Sequence, residues 1–115
     1  MKRIALLFAM AVAPAALAEA PVQTISPEEA LNYYGQLVTV NSVVSADTTS
    51  RNRFLNMGGT YPNQAFTGWI PSKSAGVFSV LPNVAGKMCA ITGQVHPYKG
   101  KPEIVLNSPS QVTCE

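Results

Sequence analysis

Four cations in this sequence stand close to aromatic side chains. Arg51 and Arg53 lead into Phe54 and Asn56, while Lys99 and Lys101 follow directly on Tyr98. Trp69, the single tryptophan, lies between the two groups. Side chains of these types can hold a single-stranded nucleic acid. The cations neutralise phosphates, and the rings stack on bases at about 1–3 kcal/mol per base. Four cations would give modest affinity and a shallow salt dependence. The competing reading makes the aromatic residues core and the cations solvated loop ends, and on that reading Phe66 belongs to the core.

Other chemistries find little support. His96 is the one histidine and precedes Pro97, with no Ser, Cys or second His arranged around it. Metal-assisted phosphodiester hydrolysis needs clustered carboxylates and an activating base, yet Asp47 is the one Asp, a single Glu falls near the expected binding face, and no acidic cluster stands there. No catalytic residue is expected, and the chain is not read as an enzyme. One His and two distant Cys match no metal-ligand spacing. Neither a metal nor a cofactor is implied.

The N-terminus points to export. Met1-Lys2-Arg3 is a basic lead, and the 14 residues Ile4–Leu17 carry no charge. Ala16-Leu17-Ala18 supplies a small-x-small cleavage signature. The apolar run is shorter than the roughly 20 residues a membrane-spanning helix needs, and Pro14 interrupts it. We expect a signal peptide over residues 1–18, a single domain over 19–115, and a periplasmic or secreted destination with no membrane attachment after cleavage. Removing Lys2 and Arg3 leaves six cations against six carboxylates. The whole-chain net charge of +2 is therefore no argument for a polyanion partner. Cys89 and Cys114 both lie in the exported part. An oxidising compartment favours a bridge between them, and closing a loop of this length contributes about 3 kcal/mol. A buried free thiol at Cys89 is the alternative.

The elements that must position these residues read mainly as β-strands. Ser26-Pro27-Glu28-Glu29 carries a capping box with proline at the first helical position. It opens a short helix with Ala30, Leu31 and Tyr34 on its apolar side and Gly35 at its end. Strands are expected over Leu37 to Val44, Arg53 to Met57, Ala65 to Ile70, Met88 to Val95 and Glu103 to Leu106, where β-branched and alternating apolar residues concentrate. Ser45 to Asn52, the Gly58–Gln64 stretch and His96 to Pro102 read as loops or turns. A weakly helical connector, Ser72 to Gly86, would place Val77, Phe78 and Leu81 over one end of a barrel. Five strands with a helical connector between the third and fourth follow the order of an OB-fold Greek-key barrel, with a small Greek-key barrel of another kind as the alternative. Alternation puts Phe54, Asn56, Thr67 and Trp69 opposite Leu55 and Met57, which point inward.

Phe54-Leu55-Asn56-Met57-Gly58-Gly59-Thr60-Tyr61-Pro62-Asn63-Gln64-Ala65-Phe66-Thr67, with Tyr98-Lys99-Gly100-Lys101-Pro102-Glu103-Ile104 and Ser108-Pro109-Ser110-Gln111, resembles a group of small bacterial OB-fold domains. These are described as nucleic-acid-binding and are similar to the anticodon-binding OB domain. The resemblance covers nearly all of residues 25–112 and implies an OB-fold binding module. OB-folds bind on the face of their second and third strands, between the loop after the first strand and the loop joining the fourth and fifth. That places Arg51, Arg53, Phe54, Asn56, Trp69, Tyr98, Lys99 and Lys101 as the candidate ligand-binding residues. Single-stranded nucleic acid is one expected ligand. Export and the balanced charge favour the alternative of a periplasmic or secreted module for a protein, glycan or small ligand.

Overall fold

The computed structural model describes residues 21–115, so the signal-peptide reading of residues 1–18 lies outside the described residues. Seven strands are present: β1 (Gln23–Ile25), β2 (Leu37–Thr49), β3 (Arg53–Met57), β4 (Phe66–Ile70), β5 (Met88–Tyr98), β6 (Lys101–Val105) and β7 (Val112–Cys114). They run in the order β1-β2-β3-β4-β6-β5-β7, and a further β2–β5 pairing closes β2 to β6 into a five-stranded barrel. β1 and β7 extend the wall on β2 and β5. These two short strands were not expected from the sequence.

Closure depends on β2. Its first half, Leu37 to Val43, pairs with β5, whereas Val44 to Thr49 pairs with β3. A register shift between Val44 and Ala46 lies just inside the second half. An extra residue on one strand bends it and changes which side chains face inward. Val38, Val40 and Val44 are buried before the shift, and Asp47 is buried after it. The expected loop from Ser45 is thus strand as far as Thr49. Its polar composition misleads because the inward position after the shift is taken by a paired carboxylate. β5 likewise continues through His96 and Pro97, which were expected in a turn. Pro97 faces Pro102 across the ladder, where neither residue has an N–H to offer.

The expected helices are 3₁₀ turns. At Pro27–Asn32 the capping box forms as read: Ser26 Oγ accepts from the Glu29 N–H, and Glu29 Oε1 accepts from the Ser26 N–H at 2.8 Å. With three residues per turn, Pro27, Ala30 and Tyr33 share the inward side. Leu31 and Tyr34 are consequently exposed rather than buried. The Ser72 to Gly86 connector contains one 3₁₀ turn, Ser72–Ser74, followed by irregular turns. Phe78 and Val84 are buried with Leu81 packed beside the core, while Val77 points to solvent. Pro82 limits any helix here, and the carbonyls of Leu81 and Pro82 are held by the Arg53 guanidinium, at 3.0 and 2.7 Å.

The core is the barrel interior, where Val38, Val40, Leu55, Met57, Phe66, Ile70, Ile91 and Ile104 are fully buried. Gly93 also faces inward. A Cβ there would collide with the Ile104 side chain, so the missing side chain makes room for the isoleucine. Cys114 on β7 lies opposite Cys89 on β5, and a disulfide joins them. The bridge fastens the C-terminal strand to the barrel wall.

Candidate ligand groove

Cross-strand pairing builds one outward face. Phe54 is paired with Thr48 on one side and Trp69 on the other, and Asn56 with Ala46 and Thr67. The row continues through Thr67 to Glu103 on β6 and from Glu103 to His96 on β5. Paired residues in a ladder point to the same side. Of this row, Ala46, Thr48, Phe54, Asn56, Thr67 and Glu103 form the floor of a groove, as the inward placement of Leu55 and Met57 requires. The groove encloses about 730 Å³, within the usual range for ligand sites. Its sides are the Thr60–Gln64 loop and the β5–β6 turn, which bring Tyr61, Tyr98, Lys99 and Lys101 to the rim.

The rim is aromatic and the floor is polar. Tyr61 and Tyr98 are 78% and 55% exposed. Lys99 Nζ sits 5.4 Å from the Tyr98 ring centroid, within cation–π range. Lys99 has φ of 50° and Gly100 of 79°. Two successive left-handed residues make a turn whose twist matches a tight hairpin. Lys101 is half-buried, and its Nζ donates to the Gln64 main-chain oxygen at 3.1 Å. In the floor, Gln64 Nε2 donates to Thr67 Oγ1 at 3.2 Å, and Thr67 Oγ1 donates to Asn56 Oδ1 at 2.9 Å. Glu103 is buried and lies 3.2 Å from His96 Nε2. Burial raises the Glu103 carboxyl above its ordinary value, and the hydrogen bond from His96 opposes that rise.

Of the eight candidate residues, Phe54, Asn56, Tyr98, Lys99 and Lys101 come together at this groove. Trp69 lies on the same outward row beside Phe54, half-buried and beyond the groove's edge. Arg51 and Arg53 are not brought to it. Arg51 is exposed beside a separate cleft of about 190 Å³ near Phe78 and Leu81. Arg53 has the same inward phase as Leu55 and Met57. Its Nε and Nη2 form a two-pronged pair with Asp47 at 2.9 and 2.8 Å, and the hydrogen bond to Asp47 raises its pKa further. Asp47 also accepts from the Val84 N–H at 2.8 Å. This cluster seals the barrel end and ties down the connector. Gln64, Thr67 and Glu103 line the groove although none was among the candidates, and His96 meets it only through Glu103. The signal for Thr67 and Glu103 was alternation carried across the ladder; for Gln64, in a loop, the sequence held none.

No protein-family model matches the chain, and no curated protein matches it. Solved structures do. An OBody bound to hen egg-white lysozyme aligns with 22% identity and a TM-score of 0.56, covering 85% of this chain and 98% of its own. A second lysozyme-bound OBody gives 18% and 0.57, over 84% and 91%. The hypothetical protein ygiW from E. coli gives 13% and 0.51, again over 84% and 91%. Identities this low speak to fold alone, and the fold is that of a mainly β, OB-fold-like barrel.

Proposed function

We propose that this chain is an exported, non-catalytic binding module that holds an uncharged, hydroxyl- or amide-bearing ligand in the groove over β3 and β4. The observation that carries the reading is the pairing of an aromatic rim with a polar floor in which few charges stand. Lys99 and Lys101 stand at one end, and Glu103 is buried in the floor. A phosphate chain crossing this face would meet two cations rather than four and would run over a carboxylate. OB barrels take oligosaccharides as well as oligonucleotides on this face, and the lysozyme-bound OBodies extend the range of partners for such barrels to a protein. The Cys89–Cys114 disulfide supports an oxidising compartment outside the cytoplasm.

Single-stranded nucleic acid is the second reading, and Lys99 beside the exposed Tyr98 ring favours it. Backbone NMR titration separates the two. The mature chain is titrated with cellotetraose, and separately with oligo-dT of about 12 nucleotides, at about 50 and about 200 mM salt. We expect shifts at Phe54, Thr67 and Tyr98 with the saccharide that salt leaves unchanged. Tight oligo-dT binding with a log-log salt slope near −1.4, as two phosphate contacts on a single strand would give, would establish the nucleic-acid reading instead. Silence of the groove resonances with both probes would refute the groove as the site.

A further inference from the structure

We infer that Glu103 is a proton switch in the groove floor: ionised, it keeps a phosphate chain off the face, and protonated, it admits one. The inference rests on the reading of the groove as the ligand site and adds a condition on the ligand's charge. Lys99, Lys101 and Glu103 are the charged side chains that line the groove. Lys101 and Glu103 lie two apart on β6 and so share its outward face, yet the Lys101 ammonium is turned to the Gln64 main-chain oxygen at 3.1 Å. The ion-pair partner of Glu103 is His96, whose Nε2 lies 3.2 Å from Oε1. A lysine bridge would hold the carboxyl ionised throughout the physiological range, whereas a histidine carries charge only when protonated. Glu103 is thus paired with no permanent cation, although its side chain is only 8% exposed. Its other oxygen, Oε2, accepts no hydrogen bond among the described residues and, unlike Gln64 Oε1, is not sealed from solvent.

The neighbouring elements leave the decision to this residue. Thr67 stands beside Glu103 on β4 with Asn56 beyond it on β3, and Gln64, Tyr61, Tyr98 and Lys99 complete the wall and rim. Asp47 on β2 is turned to the barrel end and held by Arg53. In the 3₁₀ turn, Glu29 is bonded to Ser26 and Glu28 lies beside Gly58, and neither lines the groove. With Glu103 ionised and His96 neutral, the site carries one net positive charge; protonating Glu103 makes it two, and protonating His96 adds a third. Burial disfavours the ionised carboxyl and raises its pKa, so as pH falls the change comes above the ordinary carboxylate range. A phosphate crossing the floor then meets a neutral acid, which can donate its O–H, in place of a carboxylate. By linkage, bound phosphate favours proton uptake by the same factor as the proton favours phosphate.

The test uses the mature chain at constant low salt, with oligo-dT of about 12 nucleotides and cellotetraose as probes. The charge of each probe is constant between about pH 5 and about pH 8, where histidine and raised carboxyls change theirs. Oligo-dT should bind wild type about tenfold more tightly at the lower pH, the scale of removing one like charge from beside a phosphate, and cellotetraose should show no such change. Glu103→Gln should bind oligo-dT about tenfold more tightly than wild type at the higher pH, while His96→Asn should keep a pH dependence. Equal oligo-dT affinity at the two pH values, or wild-type affinity in Glu103→Gln at the higher one, overturns the switch and leaves the groove as the site. So does a pH dependence that survives Glu103→Gln and vanishes in His96→Asn. If Glu103→Gln fails to fold, the carboxyl-carbon NMR signal of Glu103 in wild type decides: its titration midpoint should rise when oligo-dT is bound, and an unmoved midpoint refutes the coupling. Silence of the groove resonances with both probes at both pH values would remove the groove as the site, and the switch with it.

Discussion

Replacing Arg53 by methionine should destabilise the fold severely while leaving the groove side chains in place. The guanidinium side chain is 15% exposed and its partner Asp47 only 1%, so the substitution leaves a carboxylate buried with the Val84 N–H as its remaining donor. Breaking a buried pair by removing one partner costs about 3–5 kcal/mol. The carbonyls of Leu81 and Pro82 lose their donor in the same step, which places the expected loss at the upper part of that range. Against a total stability of about 5–15 kcal/mol for a domain, this is a large fraction. For a domain of this size each kcal/mol lowers Tm by about 4–8 °C, so the melting point should fall by at least about 12 °C. Urea unfolding followed by the fluorescence of Trp69 measures the loss directly. Arg53→Lys should recover little of it, because an ammonium cannot satisfy two carboxylate oxygens and two carbonyls in one plane. Arg51→Ala is the control and should stay within about 0.5 kcal/mol. A loss below about 1 kcal/mol for Arg53→Met would refute the capping role and return Arg53 to consideration as a surface cation.

Three further outcomes follow from the same geometry. The oxidised mature protein should weigh about two mass units less than its reduced form, and reduction of the Cys89–Cys114 bridge should cost about 3 kcal/mol in the urea-derived stability. Gly93→Val should destabilise by about 1–3 kcal/mol or more through overpacking against Ile104, read as a lower urea midpoint with an unchanged slope. Glu103 has a raised pKa in the folded state. Its contribution to stability is therefore fully present below the ordinary carboxylate pKa and is lost as pH rises through the folded value. Glu103→Gln should flatten that part of the stability profile, measured by thermal melts across acidic to neutral pH, and an unchanged profile would show that Glu103 does not set it.

Much of the barrel was legible because its strands obey simple rules. Val38, Leu55, Met57, Phe66 and Ile91 alternate with polar or small residues, and alternation assigns each to a face without knowledge of its partners. What escaped depended on partners far away in the chain. Asp47 reads as a loop residue because carboxylates are rare in strands, and it is a strand residue here because Arg53 and Val84 satisfy it. The bulge that turns it inward has no local signature at Val44 or Ala46. β7 is three residues long and owes its place to the ladder with β5 and the disulfide. Arg53 is different: its inward phase follows from its spacing to Leu55, so the alternation that placed Phe54 outward already argued against a cation on the face. Gln64, and the burial of Glu103, needed the structure, because a buried amide and a buried carboxyl differ from exposed ones only in their surroundings.

The bulge in β2 links stability to the charge carried by the groove. By reversing the phase of the strand it directs Asp47 to the barrel end, and a carboxylate buried there demands a cation with several donors. Arg53 answers that demand and is thereby withdrawn from the face that its neighbours Phe54 and Asn56 occupy. The groove keeps the lysines of the β5–β6 turn as its cations, one of them committed to the Gln64 carbonyl, over a floor that contains Glu103. A barrel that commits its arginine to closure presents a face with few cations, where counterion release contributes little. Salt-insensitive binding of a neutral, donor-bearing chain is accordingly what this closure leads us to expect.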